Sequence, residues 1–141
     1  MSHLEIKLSE ITALLTKIRP ERTCHPTDMD NGRLFAEVFK SVLRYSPDYS
    51  LWCCKVGDRW EHDTGKLAAF DAANLLFIAL QGYFNDVTVG SPRLDLMKAH
   101  YEKLADRLPR ENMIKEARTV YPLKKAECLP PKKGKQPTGN G

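Results

Sequence analysis

The sequence lacks a long apolar run. No stretch reaches the roughly 18 to 20 consecutive apolar residues that a membrane-spanning helix requires. The opening residues, MSHLEIKLSE, also lack the basic segment followed by an apolar segment that marks a secretion signal. We therefore expect a cytoplasmic location and no membrane partner.

The cysteines are poorly placed for disulfide bonds. The four cysteines are Cys24, Cys53, Cys54 and Cys128. Two of them are adjacent and no secretion signal precedes them, so reduced thiols are the better interpretation. A zinc site can be drawn on paper from Cys24, His25, Cys53, Cys54 and His62. Adjacent cysteines on a strand point to opposite faces, however, so we favour packed thiols and expect no metal and no cofactor.

The sequence also lacks a complete catalytic motif. The phosphate-binding loop GxxxxGK[ST] is absent, because seven residues separate Gly57 from Gly65 and Leu67 stands where a magnesium-binding hydroxyl is needed. The aspartates at the start of the second predicted helix, Asp28 and Asp30, are explained by helix capping. We therefore expect a domain that is not an enzyme.

One sign of charge dominates only near the end of the chain. The net charge is +4, from 22 basic and 18 acidic side chains. From position 122 onward there are five lysines and one glutamate, so the preceding residues balance at 17 of each sign. That last stretch is rich in proline, glycine and lysine and has little to bury. We expect a single domain over residues 1–121 and a flexible basic tail over residues 122–141.

Apolar residues at helical spacing predict about five helices. The predicted helices lie near residues 4–18, 30–45, 66–83, 91–108 and 110–121. Between the second and third of them the pattern changes to that of two short strands, which predicts a β-hairpin at about residues 50–62. The expected fold class is therefore mainly α, an orthogonal bundle of about five helices with one short hairpin.

The predicted hairpin carries both tryptophans of the chain. If Gly57 takes the left-handed third position of a three-residue turn, Trp52 lies opposite Trp60 on one face. Two interpretations then stay open for the indole rings. They either pack on the flanking helices as part of the core, or they stack on nucleic-acid bases with a nearby cation.

A longer ordered pattern lies between residues 27 and 65. It consists of TDMDNGRLF, then LRYSP, then WCCKVGDRW, then DTG. This pattern resembles the accessory domain that precedes the superfamily 3 helicase in phage and plasmid primase–helicases, a domain also found in poxvirus primase–helicases. The matching positions are Thr27, Asp28, Asn31, Phe35, Arg44, Tyr45, Pro47, Trp52, Gly57, Arg59, Trp60 and Asp63.

The resemblance implies a role in viral or mobile-element DNA replication. The chain would be a non-catalytic module that contacts a primase or helicase, with single-stranded DNA as a further candidate ligand. The residues expected to contact nucleic acid or the protein partner are Arg44, Tyr45, Trp52, Arg59 and Trp60. A second hypothesis stays open, that of a free-standing phage protein that binds a host protein and inhibits or redirects it. In both cases the protein would act in the host cytoplasm.

Overall fold

The computed structural model describes residues 4–87 and 90–128. Within these ranges the fold is mainly helical with a small antiparallel sheet, as the sequence predicts. The helices are α1 (Leu8–Ile18), α2 (Pro20–Thr23), α3 (Asp28–Phe39), α4 (Leu67–Asp86), α5 (Pro92–Glu102) and α6 (Arg107–Ala117). The strands are β1 (Leu43–Ser46), β2 (Leu51–Val56) and β3 (Arg59–His62). Single 3₁₀ turns lie at Thr64–Lys66, Lys103–Ala105 and Lys125–Glu127.

Two helix pairs form the framework of the domain. Helix α3 packs along α6 and helix α1 packs along α4, which also contacts α5. The small residues Ala69, Ala72 and Ala73 of α4 are completely buried, and side chains of this size let neighbouring helices approach closely. Phe35 and Phe39 of α3 are also completely buried, so α3 is central to the core.

The cap of helix α3 is Thr27, where the sequence predicted Asp28 or Asp30, and the helix ends earlier than predicted. The Thr27 hydroxyl accepts a hydrogen bond at 3.1 Å from the Asp30 amide, which has no partner within the helix. The helix stops at Phe39, and the chain then forms the edge strand β1 in place of a last helical turn. Val42 and Leu43 continue the helical spacing of the preceding apolar residues. The sequence pattern therefore does not show that the chain changes from helix to strand at this point.

The boundary between the last two helices also differs from the prediction. The sequence suggested that a helix ends at Pro109. Instead α5 ends at Glu102 and α6 begins at Arg107, so that Pro109 lies in the first turn of α6. Proline is tolerated there because the amide hydrogen that it lacks would have no partner within the helix.

The predicted hairpin is present as β2 and β3, and β1 extends it to a three-stranded sheet in the order β1-β2-β3. Its turn contains two residues, Gly57 and Asp58, because Val56 pairs with Arg59. Gly57 has a φ of +65° and occupies the first central position of the turn. A type II′ turn favours glycine at this position, because the left-handed region is open to glycine at no steric cost.

This turn corrects the expected pairing of the two tryptophans. Trp60 lies opposite Lys55, whereas Trp52 lies opposite Tyr45. Side chains alternate between the faces of a sheet along each strand, so Trp52 and Trp60 point to opposite faces. We call the face that carries Trp52 the inner face, since Trp52 contacts Phe35 of α3. The face that carries Lys55 and Trp60 is the outer face.

A C-terminal segment crosses the outer face of the sheet. The sequence predicted a flexible tail from position 122, but residues 122–128 lie against the strands. The Leu123 amide donates a hydrogen bond at 2.8 Å to the Tyr45 carbonyl of β1, and Cys128 forms a parallel bridge with Trp60 of β3. Leu123 and Cys128 are both buried. We call residues 122–128 the strap; the remainder of the predicted tail, 129–141, lies outside the described residues.

One helix is apolar enough to pass a test for a membrane span, which inspection of the sequence did not anticipate. The stretch Thr64–Asp86 has 23 residues and a mean hydropathy of 1.4 over its most apolar window. Half of that window is buried inside the domain. The central helix of a protein core has the same composition, so this property is weak support for membrane insertion.

Gly32 allows the close approach of α3 and α6. A β-carbon at this position would lie 2.5 Å from the Glu116 Cβ and 2.8 Å from the Ala117 nitrogen.

Gly32→Ala should therefore force the helices apart and lower the free energy of unfolding by about 1–3 kcal/mol, measured by urea titration. Gly82→Ala is the matched control, because no atom lies within 4 Å of its β-carbon position. The control should gain up to about 1 kcal/mol from helix propensity, and equal losses in both variants would contradict the close approach.

Asp30 is a buried carboxylate that joins α3 to the loop before it. It accepts hydrogen bonds from the His25 amide at 2.7 Å and from the Arg33 guanidinium at 3.1 Å, and the His25 Nδ1 lies 3.0 Å away. Burial alone would raise the pKa of Asp30. The hydrogen bonds from His25 and the charge of Arg33 outweigh burial, so the pKa of Asp30 is lowered.

The lowered pKa predicts an acid-sensitive contribution to stability. The ionised Asp30 stabilises the fold above the carboxyl's unfolded pKa, and this contribution is lost as the pH falls through the folded pKa. Asp30→Asn should lower the free energy of unfolding by about 1–3 kcal/mol at neutral pH. In urea titrations the difference from wild type should shrink below about pH 4. A difference that stays constant down to that pH would show that the ionised carboxylate is not what stabilises the loop.

Candidate functional site

The sheet separates the five residues that the sequence predicted to bind. Tyr45 and Trp52 lie on the inner face, Arg44 and Trp60 lie on the outer face, and Arg59 lies beside the turn. The structure therefore forms two pairs from residues that were expected to make one cluster.

Trp52 is a core residue. Its side chain is 3% exposed, and its ring meets Phe35 at 6.0 Å and Tyr45 at 5.6 Å between ring centres. Both pairs have the edge-to-face geometry that aromatic rings prefer. Trp52 thus braces the sheet against α3, and of the two interpretations left open by the sequence its position agrees with core packing.

The outer face carries a row of alternating cations and aromatic rings. The Arg44 guanidinium carbon lies 5.8 Å from the ring centre of Trp60 and 5.7 Å from that of Tyr121. The Lys55 ammonium is 5.6 Å from Trp60, and the Lys40 ammonium is 5.0 Å from Tyr121. Each distance is within the reach of a cation–π interaction. We call Lys55, Trp60, Arg44, Tyr121 and Lys40 the cation–aromatic row.

Hydrogen bonds hold one end of the cation–aromatic row. The Glu37 carboxylate accepts from the Lys40 ammonium at 2.8 Å and from the Tyr121 hydroxyl at 2.6 Å. The bond from Lys40, followed by the bond from Tyr121, lowers the pKa of Glu37, so this carboxylate stays ionised. Arg44 Nε donates to the Lys40 carbonyl at 2.6 Å, which positions the guanidinium between the two rings.

The cation–aromatic row combines two kinds of binding group. Its side chains are half-buried, which leaves part of each ring and cation accessible. The row holds three cations, and the Glu37 carboxylate at one end offsets part of their positive charge. Cations attract phosphates, and aromatic rings stack on bases regardless of base identity. This combination suits a single-stranded nucleic acid.

Arg59 does not extend the cation–aromatic row. It lies on the same side of the sheet as Val56 and Trp52, opposite to Trp60. Its side chain is 62% exposed and its guanidinium is 3.5 Å from the Glu61 carboxylate. An ion pair this exposed contributes little to stability. The structure thus places Arg59 apart from the residues with which it was grouped.

Tyr45 belongs to a separate cleft on the inner face. The cleft has a volume of about 560 Å³ and lies between the sheet, the loop before α4 and the end of α6. Lys66, Lys115 and Arg118 contribute three cations to its lining, which also contains the carboxylates of Asp63 and Glu111. The Arg118 guanidinium carbon lies 5.4 Å from the centre of the Tyr45 ring. This second basic, aromatic-lined surface is the place where Tyr45 can contact a ligand.

Sequence reasoning missed three members of the cation–aromatic row. The predicted turn included Lys55, but β2 continues two residues further, to Val56, and this places Lys55 opposite Trp60. Tyr121 was assigned to the last helix, and its place depends on the path of the chain into the strap. No local pattern signals that path. Lys40 directly follows the last residue of α3. The predicted helix continued past it, so the sequence offered no reason to place Lys40 beside the sheet.

Comparison with models of protein families, with curated proteins and with solved structures gave no significant match. The comparisons lend no support to the resemblance noted for residues 27–65, which stays a hypothesis. The biochemical role must therefore be inferred from the geometry of the chain itself.

The opposite orientations of the two tryptophans predict different fluorescence. Trp60→Phe leaves only the buried Trp52, so emission should shift to shorter wavelength and resist quenching by acrylamide. Trp52→Phe leaves the half-buried Trp60, which acrylamide should quench more strongly. Far-UV circular dichroism must first show that both variants are folded. Equal quenching of the two variants would contradict the register between β2 and β3.

Proposed function

We propose that this chain is a non-catalytic accessory module of phage or plasmid DNA replication. In this role it binds a primase or helicase partner and holds single-stranded DNA on the cation–aromatic row. The observation that carries the proposal is the alternation of three cations with two half-buried rings along the outer face.

The spacing of the row supports a single-stranded ligand over a duplex. Trp60 and Tyr121 both contact Arg44, at 5.8 and 5.7 Å, so the two rings flank one cation. Two neighbouring unstacked bases can each use one ring, while the backbone phosphates reach the lysines at the two ends. Bases in a duplex are already stacked on each other and cannot use these rings.

The cations of the row also supply a local positive charge that favours contact with phosphates. The chain outside the predicted tail is electrically balanced, so a local excess is needed to attract a polyanion. Lys40, Arg44 and Lys55 supply that excess, and Glu37 compensates part of it. Affinity should therefore be modest and should fall with salt.

A specific observation also favours the alternative hypothesis of a host protein as partner. Two large apolar side chains lie exposed at the start of α4, Leu67 at 55% and Phe70 at 38%. Phe70 lines the inner cleft together with Tyr45. An exposed apolar pair beside a basic cleft is typical of a surface that binds protein. The cleft and the cation–aromatic row are on different faces, so variants can separate the two activities.

Titration of the protein with single-stranded oligonucleotide at low salt tests the proposal. Base stacking should quench the fluorescence of Trp60, and Trp60→Ala should weaken binding roughly 5- to 150-fold, the range expected for loss of one stacked base. Removal of cations should reduce the dependence of affinity on salt. The slope of log K against log salt should fall by about 0.7 for each of Lys40, Arg44 and Lys55 replaced by Ala.

A matched control removes the same charge elsewhere. Lys98→Ala and Lys103→Ala change exposed residues on α5 and just after it, a helix that packs on α2 and α4. These variants should bind DNA almost as wild type does. The proposal of DNA binding fails if wild-type protein shows no quenching at low salt. It also fails if the control pair weakens binding as much as Lys40→Ala and Lys55→Ala do together. Phe70→Ala should leave DNA binding unchanged, because it lies in the inner cleft.

A further inference from the structure

Three potential metal ligands lie close together where the strap covers the outer face of the sheet. Cys53 of β2 lies directly opposite His62 of β3 on the outer face, and the strap brings Cys128 over both. The ligand atoms of these three side chains all lie within 4.8 Å of one another. The two sulfur atoms of Cys53 and Cys128 are 2.9 Å apart.

The environment of the three side chains suits a bound cation. Cys53 and Cys128 are buried, at 0% and 4% exposure, while His62 is half-buried at the edge of the sheet. Leu123, Tyr49 and Trp60 pack around the two cysteines and shield them from water.

We propose that Cys53, His62 and Cys128 form a Zn²⁺ site that fastens the strap to the sheet. Two thiolates and one imidazole are a ligand set that zinc prefers. On binding, the two thiols release their protons to solvent and form two Zn–S bonds, while a ring nitrogen of His62 donates its lone pair. No electron is transferred, so no oxidant is required. The fourth position of the tetrahedron is left to water or to a donor from another part of the chain or a partner.

The geometry requires only a small adjustment for zinc. With Zn–S bonds of about 2.3 Å, two sulfurs of a tetrahedral site lie about 3.8 Å apart. The sulfurs of Cys53 and Cys128 must therefore separate by roughly 1 Å. A disulfide would need the opposite movement, to about 2.0 Å, together with an oxidant.

The remaining cysteines and histidines considered from the sequence lie outside this group. Cys54 points to the inner face, because it neighbours Cys53 on β2. Cys24 precedes α3, and its carbonyl accepts a hydrogen bond from Arg93. The His25 ring nitrogen Nδ1 contacts the Asp30 carboxylate at 3.0 Å. Among the described residues the structure therefore selects one set of three ligands, which substitutions can test.

Metal titration of the full-length protein tests the site. Protein kept reduced and stripped with a chelator should bind one equivalent of Co²⁺, with thiolate charge-transfer absorption and the visible bands of tetrahedral cobalt. Zn²⁺ should displace the cobalt and bleach these bands, and elemental analysis should find one zinc per chain. Zinc should also raise the melting temperature, because a metal that binds only the folded state stabilises it.

Single substitutions identify the ligands. Cys53→Ser, His62→Ala and Cys128→Ser should each weaken metal binding at least about 100-fold, whereas Cys24→Ser and Cys54→Ser should bind as wild type does. Cys53 is fully buried, so its variant may not fold; Cys128→Ser and His62→Ala, at the strap and at a half-buried position, then decide the question. Far-UV circular dichroism reports folding in each case.

Three results would overturn the proposal. The first is the absence of cobalt bands in folded wild-type protein. The second is unchanged metal affinity in folded His62→Ala and Cys128→Ser. The third is a bond between Cys53 and Cys128 in freshly purified protein without reductant, seen as a peptide pair lighter by two hydrogens. None of these results depends on DNA binding, so the zinc site and the proposed function can fail separately.

Discussion

The two-residue turn at Gly57 and Asp58 sets the pairing between β2 and β3, and this pairing decides which side chains share a face of the sheet. With Val56 opposite Arg59, Trp52 points into the core and Trp60 points outward. The expected three-residue turn would move every side chain of β3 to the other face. The place of Trp60 in the cation–aromatic row therefore depends on this local backbone geometry.

The strap depends on that register as well. Cys53 is completely buried although it points away from the helical core, because Leu123 and Cys128 cover it. Trp60 also packs against this buried group, so the strap covers part of the outer face of the sheet. The main-chain contacts at β1 and β3 hold both ends of the strap, so it covers the sheet from one edge to the other. The sheet thus has a protein layer on each side.

Local patterns predicted most of the secondary structure but not the way in which it assembles. The apolar stripe of α1 and the hairpin were both visible in the sequence, because each depends on neighbours within a few residues. The strand β1 was missed because its apolar residues continue the helical spacing of α3. The strap was missed because proline and lysine near position 122 suggest an unpacked chain, and only tertiary contacts bury Leu123.

The candidate site shows the same division. Arg44 and Trp60 were selected for their residue types, and the structure does bring them within 5.8 Å of each other. Trp52 was predicted to bind for the same reason, but its side chain packs in the core. Tyr121 could not be predicted as a member of the candidate site, because it is distant in sequence from the sheet and reaches it only through the tertiary fold. Residue type predicted that the surface would combine cations and aromatic rings. The register between β2 and β3 and the path of the chain into the strap determined which residues lie on it.

The distance along the chain between the two halves of the outer face has a consequence for the order of events during folding. Cys53 and Cys128 are 75 residues apart in sequence, and Arg44 meets Tyr121 across a similar interval. Closing a loop of that length is slow compared with forming a helix or a hairpin. A chain that has formed its helices and hairpin but has not closed this loop lacks the Tyr121 ring of the cation–aromatic row, whereas Lys40 can already bond to Glu37 within its own stretch of chain. The complete row therefore forms only when the last segment of the domain packs on the sheet.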